Sequence, residues 1–188
     1  SELERTWIAM KNNVMIALFV IFLLLTVLMR SFILPFVVVI TVPIAGAGGV
    51  LGLVVLNQFT AQSMDMLTML GFIILTGIVV NNSILMVEQT LWHIRYESMK
   101  ISEAITEATR NRIRPIFMST LTSLFGLIPL VIFPGSGSEL YRGIGTVVFG
   151  GLSTSAILTL LMVPPLLALA LKFEKVKPIT ENTQEEFI

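Results

Sequence analysis

The chain has 188 residues, of which 55% are hydrophobic and only 13% are charged, and its mean hydropathy is +0.90. Soluble domains carry about 25% charged residues, so the deficit indicates a lipid environment. The formal net charge is zero, which argues against nucleic acid as a partner. The sequence contains no cysteine, which excludes disulfides and thiolate metal sites.

The charged residues are clustered, and they separate five charge-free runs: 12–29, 31–64, 66–87, 115–138 and 143–171. A helix needs roughly 20 apolar residues to cross about 30 Å of hydrocarbon. Backbone groups in lipid must pair within the chain, which favours helices, and the runs lack the period-2 alternation of barrel strands. We therefore predict an all-α, polytopic membrane helix bundle with about five transmembrane helices.

In chain order, an amphipathic lead-in at the outer interface over 1–13 precedes a transmembrane bundle over 14–171. The predicted spans of this bundle are about 14–29, 33–56, 66–87, 115–133 and 145–171. A cytoplasmic connector over 88–114 joins the third span to the fourth. Its residues 102–114 are predicted to form one cytoplasmic surface helix with Ser102 as N-cap. The tail over 172–188 is polar, and we expect it to be disordered.

The basic residues divide unequally between the two sides of such a bundle. One side would carry only Arg5, Lys11 and Arg142. The other would carry Arg30, Arg95, Lys100, Arg110, Arg112, Arg114, Lys172, Lys175 and Lys177. Basic residues accumulate on the cytoplasmic side, so we predict that the N-terminus lies outside and the C-terminus lies in the cytoplasm.

An external N-terminus needs an upstream segment that carries the chain across the membrane. Ser1 is not an initiator methionine, and residues 1–13 contain no apolar core of a signal peptide. We therefore expect at least one helix to precede this chain.

Polar side chains within the apolar runs are the candidates for function, because they are costly in hydrocarbon and usually face a bundle interior or a water path. Asn81 interrupts the third span about 10 Å from its cytoplasmic end. Arg112 and Ser119 lie seven residues apart, so they share one helix face. These three residues could line one inner half-channel, whereas the alternative is simple hydrogen bonding between helices.

Histidine and methionine are two further residue types that could carry chemistry. His93, the single histidine, falls in the predicted connector, where a solvated structural role is favoured over a proton relay. The ten methionines, with Met64, Met66 and Met69 close together, could handle a soft metal, but methionine is also ordinary filler in apolar helices. We predict no catalytic residues, no cofactor and no metal site.

Several stretches resemble, in order and with matching spacing, the C-terminal membrane part of multidrug exporters of the resistance-nodulation-division (RND) type. The stretch 77–88 (GIVVNNSILMVE) is similar to their tenth membrane helix, and 110–120 (RNRIRPIFMST) to the entry of their eleventh. Shorter matches are 30–35 (RSFILP), 143–146 (GIGT) and 163–165 (VPP). The resemblance covers nearly the whole chain.

This resemblance implies a drug/proton antiporter in the bacterial inner membrane, to which the chain contributes helices eight to twelve. The implied partners are the N-terminal half of the same pump, further copies in a homotrimer, a periplasmic adaptor and an outer-membrane channel. In the family, a carboxylate pair on the fourth helix takes up protons. A lysine on the tenth helix completes the relay with an arginine and a hydroxyl residue on the eleventh.

The relay positions on the eleventh helix correspond to Arg112 and Ser119, but the lysine position is occupied by Asn81. Asparagine can donate a hydrogen bond to a carboxylate but cannot neutralise it. We therefore expect Arg112 to supply the remaining positive charge, and we do not expect the chain to transport anything alone. The alternatives are heavy-metal efflux by a related RND branch, and a non-transporting membrane scaffold or truncated remnant.

Overall fold

The computed structural model describes residues 2–133, 135 and 137–174, and helices are the regular secondary structure within these residues. The helices are α1 (Glu2–Met29), α2 (Leu34–Val39), α3 (Thr41–Asn57), α4 (Met66–Tyr96), α5 (Ile101–Ile132) and α6 (Ser138–Phe173). Because α2 and α3 together form one candidate span, five segments are long and apolar enough to cross a membrane. The predicted all-α bundle is therefore confirmed.

The helices on either side of the predicted connector are longer than the charge pattern indicated. The predicted third span ends at 87, and α4 continues beyond it to Tyr96, into the predicted connector. The predicted surface helix is not a separate element, because α5 runs without a break from Ile101 through Pro115 to Ile132. Charged residues favour exposure to water but do not stop a helix, whose backbone pairing continues beyond the apolar region.

The break between α4 and α5 has a backbone cause. Ser98 adopts a left-handed conformation, with φ of 52°, which few residues other than glycine adopt readily. The carbonyl of His93 accepts hydrogen bonds from the backbone N–H groups of Glu97 at 3.2 Å and Met99 at 3.3 Å. These bonds pair the last turn of α4 and reverse the chain direction, so α4 and α5 become neighbours.

Helix α6 lies at the centre of the bundle and packs against α3, α4 and α5. Small residues allow the closest approach: a Cβ on Gly150 would lie 2.7 Å from the Gly48 carbonyl oxygen and 2.8 Å from Gly52 Cα. Leu75 and Val79 of α4 pack with Val147 and Leu152 of α6 in one core cluster. A second cluster contains the following buried side chains: Leu34, Val38, Met86, Val87, Val163 and Leu167.

Hydrogen bonds join several helices at one end of the bundle, which we call the Arg30 end. The guanidinium of Arg95 donates from Nη2 to the carbonyl of Met29 at 3.0 Å and so caps the end of α1. Ser31 Oγ donates to the carboxylate of Glu174 and accepts the Leu34 N–H at 3.1 Å. These contacts connect the ends of α1, α4 and α6 with the start of α2.

At the opposite end, which we call the Asp65 end, α4 begins with a capped first turn. Asp65 Oδ1 accepts a hydrogen bond from the Thr68 N–H at 2.8 Å and another from Thr68 Oγ1 at 2.6 Å. A side-chain acceptor at the N-cap pairs an N–H that the helix itself leaves free. The last turns of α3 and α5 and the first turn of α6 lie at the same end, because successive spans run in opposite directions.

Helix α1 lies at the edge of the bundle. Among the α1 side chains that the structure describes, the buried apolar ones are Leu25 and Met29, which are both near the Arg30 end. Toward the Asp65 end α1 stands away from α3 and α4 and leaves an apolar cavity of about 370 Å³. Large apolar side chains such as Val27 and Phe19 are 79% and 62% exposed, which suits a surface that meets lipid or another protein.

Candidate functional site

The polar triplet 81–83 of α4 turns its three side chains in different directions. Ser83 is buried, and its Oγ lies 3.0 Å from Thr41 Oγ1 in a hydrogen bond that joins α4 to α3. Asn82 is half-buried, whereas Asn81 is exposed. Among the residues that the structure describes, no hydrogen-bond partner is found for the Asn81 amide. Ser83 therefore has an interhelical packing role, and Asn81 remains available to a group outside this chain.

Arg112 is held by a side chain that sequence reasoning overlooked. Its Nε donates to Gln89 Oε1 at 2.7 Å, and both residues are half-buried. Gln89 belongs to α4 and Arg112 to α5, so the bond fixes the register of these two helices. An amide oxygen orients a guanidinium without cancelling its charge, because the amide is neutral.

Ser119 lies on the exposed side of α5. Its hydroxyl donates to the carbonyl of Ile116, one turn earlier, at 3.1 Å. The next residue, Thr120, is buried instead. A serine that bonds back to its own helix can exchange that weak bond for an external partner.

The Gln89–Arg112 bond places Asn81 and Ser119 relative to each other. Asn81 lies eight residues before Gln89, about 12 Å along α4, and Ser119 lies seven residues after Arg112, about 10 Å along α5. Because α4 and α5 run in opposite directions, Asn81 and Ser119 reach similar depth. Within the described part of the chain, no hydrogen bond joins Asn81, Arg112 and Ser119 to one another. The three predicted residues thus form no closed network: Asn81 and Ser119 are exposed at similar depth and define an exposed polar region of α4 and α5, whereas Arg112 is half-buried about two turns away.

Sequence comparison decides the class of protein to which this exposed polar region belongs. Residues 4–170 match the AcrB/AcrD/AcrF family. This chain belongs to that family. The AcrB/AcrD/AcrF proteins are transporters of the RND type, so the predicted resemblance is confirmed and the chain is part of a multi-pass membrane transporter.

A curated relative extends the comparison. The chain is 34% identical over 167 residues to the swarming motility protein SwrC of Bacillus subtilis (strain 168). The match covers 88% of this chain but only 15% of SwrC. The chain therefore spans a small part of the length of this AcrB/AcrD/AcrF relative.

His93 differs from its predicted surroundings. The prediction of a solvated histidine in a connector is wrong, because His93 lies in the last turn of α4 and is only 6% exposed. Its Nδ1 lies 2.7 Å from Glu97 Oε2, and its Nε2 is buried with no hydrogen-bond partner in the part of the chain that the structure describes. The reason is that the first charged residue, Glu88, marks the end of the apolar run but not the end of α4.

Gln89 could have been found from the sequence only with the correct helix end. It follows Glu88, the residue at which the charge-free run stops, so the charge pattern places it in the connector. Once α4 is extended, Gln89 is a polar residue on a membrane helix and a candidate partner for a charge on α5. Which charged residue of α5 contacts Gln89 depends on the register of α5 against α4.

Groups of three or more histidine, aspartate or glutamate side chains that could hold a metal ion are not found in the described residues. Four methionines, however, line the apolar cavity beside α1: Met10, Met15, Met64 and Met69. Lys11 lines the same cavity. Thioether sulfur suits soft metal ions, whereas the lysine ammonium repels any cation.

Proposed function

We propose that this chain is the C-terminal transmembrane part of a proton-motive-force-driven efflux pump, which exchanges protons for drugs and is inactive without the rest of the protein. The observation that carries the proposal is the exposed polar region of α4 and α5, where Asn81 and Ser119 lie at similar depth, with Arg112 held by Gln89 about two helical turns away. Membership in the AcrB/AcrD/AcrF family supports transport as the activity.

The depth of the exposed polar region supports the proposal that another part of the protein covers it. An exposed amide at membrane depth is costly against lipid, so such a side chain is expected to face protein or water. We propose that the remainder of the pump covers this region and contributes a proton-carrying carboxylate. Asn81 and Ser119 would then hydrogen-bond the carboxylate as its protonation changes.

The proposed role of Arg112 is electrostatic. A carboxylate in a low-dielectric site favours its protonated form unless a cation lies nearby. With Asn81 in the relay, Arg112 is the cation that we assign to this task. Gln89 holds the guanidinium with a neutral acceptor, which supports the proposal because the positive charge remains available.

The proposed setting is the bacterial inner membrane, with an external N-terminus and a cytoplasmic C-terminus. A homotrimeric pump that meets a periplasmic adaptor and an outer-membrane channel belongs to the same proposal. These features rest on the family and on the distribution of basic residues.

The test is the replacement Arg112→Ala in the full-length pump that carries this chain. We expect drug resistance to be abolished while the amount of protein in the membrane stays unchanged. The matched control is Arg114→Ala, which removes an exposed guanidinium from the same turn region. The double variant Asn81→Lys/Arg112→Ala should recover resistance, because it returns a cation to the relay. Unchanged resistance in Arg112→Ala would reject the proposal.

A second candidate, efflux of soft metals, is favoured by the four methionines of the cavity beside α1. Lys11 in the same lining weighs against it, so drug/proton exchange ranks first. Replacing Met10 and Met69 together by leucine should leave resistance to silver and copper(I) unchanged under the first proposal. Loss of metal resistance with retained drug resistance would favour the second.

A non-transporting scaffold remains the alternative from another class. Proteoliposomes that contain the full-length protein separate the two, because a transporter moves protons when substrate and a pH gradient are supplied. A scaffold gives no substrate-dependent flux.

A further inference from the structure

A buried cation at the Asp65 end has no counter-charge in the described part of the chain. Arg142 lies in the second turn of α6 and is only 7% exposed. Its Nε is buried, and no hydrogen-bond partner for this atom is found among the described residues. No hydrogen bond or ion pair of its guanidinium is found among residues 2–133, 135 and 137–174. The backbone carbonyl of Arg142 is paired, since it accepts from Thr146 Oγ1 at 2.8 Å.

Two acidic residues near Arg142, Asp65 in the fold and Glu139 in the sequence, do not pair with it within the described residues. Asp65 uses Oδ1 to cap α4 through Thr68, and a Cβ on Gly143 would overlap Thr68 Oγ1, so α6 and the start of α4 are in direct contact here. Glu139 is exposed in the first turn of α6. Neither carboxylate forms an ion pair with Arg142 within the described residues. The chain thus buries Nε and most of the Arg142 side chain, and the described residues provide no counter-charge for its guanidinium.

A buried charge is retained in folded proteins when it is paired, because removal from water is costly and only an opposite charge with hydrogen bonds offsets that cost. The start of α6 also favours a bound anion. Its N-cap is Gly137, which has no side chain to pair first-turn N–H groups, and of these groups the Ser138 N–H donates to the Gly135 carbonyl at 3.0 Å. Because helix side chains lean toward the helix N-terminus, Arg142 and these N–H groups favour an anion at the same position.

We propose that Arg142 and the first turn of α6 form a docking site for a carboxylate from the part of the full-length protein outside this chain. The related SwrC protein is much longer than this chain, because the match covers only 15% of it. A full-length protein of that size has further segments that can lie against the Asp65 end. Burial favours a single side-chain carboxylate over a phospholipid headgroup, because the small exposed fraction of Arg142 leaves access for few atoms. The site is independent of the proton relay, which uses α4 and α5.

The first test is the sign of a stability change in the full-length protein. Replacing Arg142 by methionine keeps the unbranched apolar stem of the side chain and removes the guanidinium with its charge. If a carboxylate docks here, the Arg142→Met variant leaves that carboxylate unpaired, and we expect Tm to fall by several degrees. If nothing pairs with Arg142, the same change removes a buried unpaired charge and raises Tm, which would overturn the proposal. Arg114→Met is the matched control at an exposed position, with little change in Tm expected.

The second test identifies the source of the anion. A photo-crosslinking amino acid at Leu140 or Tyr141, both exposed beside Arg142, is activated in membranes that contain the full-length protein. We expect the adduct to contain a peptide from outside residues 1–188 with an aspartate or glutamate, and replacing that acid by its amide should lower Tm as Arg142→Met does. An adduct with phospholipid, or with the Asp65 segment of this chain, would overturn the assignment.

Discussion

At the scale of single residues, hydrogen-bond partners separate side chains that look equivalent in the sequence. Ser83 and Asn81 belong to one polar triplet, yet Ser83 joins α4 to α3 whereas Asn81 is exposed. Gln89, which carries no charge and matches no motif, holds the guanidinium of Arg112. The proposed relay therefore depends on Gln89, whose role is visible only in its contact with Arg112.

Exchanging the acceptor at position 89 tests whether the charge of Arg112 matters. Hydrogen bonds to charged groups contribute about 1.5–3 kcal/mol, so Gln89→Leu should reduce transport by about tenfold or more in the full-length pump. Gln89→Glu keeps an acceptor but neutralises Arg112, and we expect a comparable loss in a drug-dependent proton flux assay.

The adjacent exposed residue provides the control, because Glu88→Gln should leave transport unchanged. Full activity in Gln89→Glu would mean that the hydrogen bond alone is needed and that the positive charge is not.

At the scale of elements, close contact between α3 and α6 holds the centre of the bundle. The contact depends on glycine at positions where a Cβ would meet backbone atoms rather than flexible side chains. Without a hydrophobic driving force between helices in lipid, such backbone approach and the resulting van der Waals packing favour association.

Replacing Gly150 by alanine tests this contact. The added Cβ would lie 2.7 Å from the Gly48 carbonyl oxygen, so the helices must separate, and overpacking of this kind costs about 1–3 kcal/mol. We expect a lower Tm and less folded protein by fluorescence-detected size-exclusion chromatography.

Gly126→Ala on α5 is the matched control, since a Cβ there has open space around it. Alanine is the better helix former, so this control should be neutral or slightly stabilising. Equal behaviour of the two variants would show that the α3–α6 contact is not tight in the protein.

At the scale of the whole molecule, the distribution of basic residues predicts the orientation in the membrane. Of the residues that the structure describes, Arg30, Arg95, Lys100 and Lys172 lie at the Arg30 end. The positive-inside rule assigns this end to the cytoplasm.

Cysteine labelling tests this orientation, and the chain contributes no cysteine of its own to the background. In a cysteine-free full-length pump, Glu103→Cys should react with a membrane-impermeant reagent only in inside-out vesicles. Thr60→Cys, in the exposed loop between α3 and α4, should react only in intact cells with a permeable outer membrane. The reverse pattern would invert the topology and remove the basis of the proposed inner half-channel.

The fold could be predicted because its main determinant is local. Runs such as 66–87 are apolar enough and long enough to span a bilayer, and a chain in lipid has few alternatives to the helix. Helix ends were predicted less well, because charge marks where water begins and not where backbone pairing stops. The conformation of Ser98, which ends α4 beyond His93, has no signal in composition.

The sequence by itself therefore determined the class of protein, the number of spans and the polar residues that can matter, since hydropathy and motif order are properties of the chain. Only the tertiary structure decided which of these residues meet. Helix rotation and register determine the Gln89–Arg112 bond and the burial of His93. They also determine that Arg142 has no counter-charge among the described residues. Rotation and register are set by the packing of side chains from distant parts of the chain, and no local pattern encodes them.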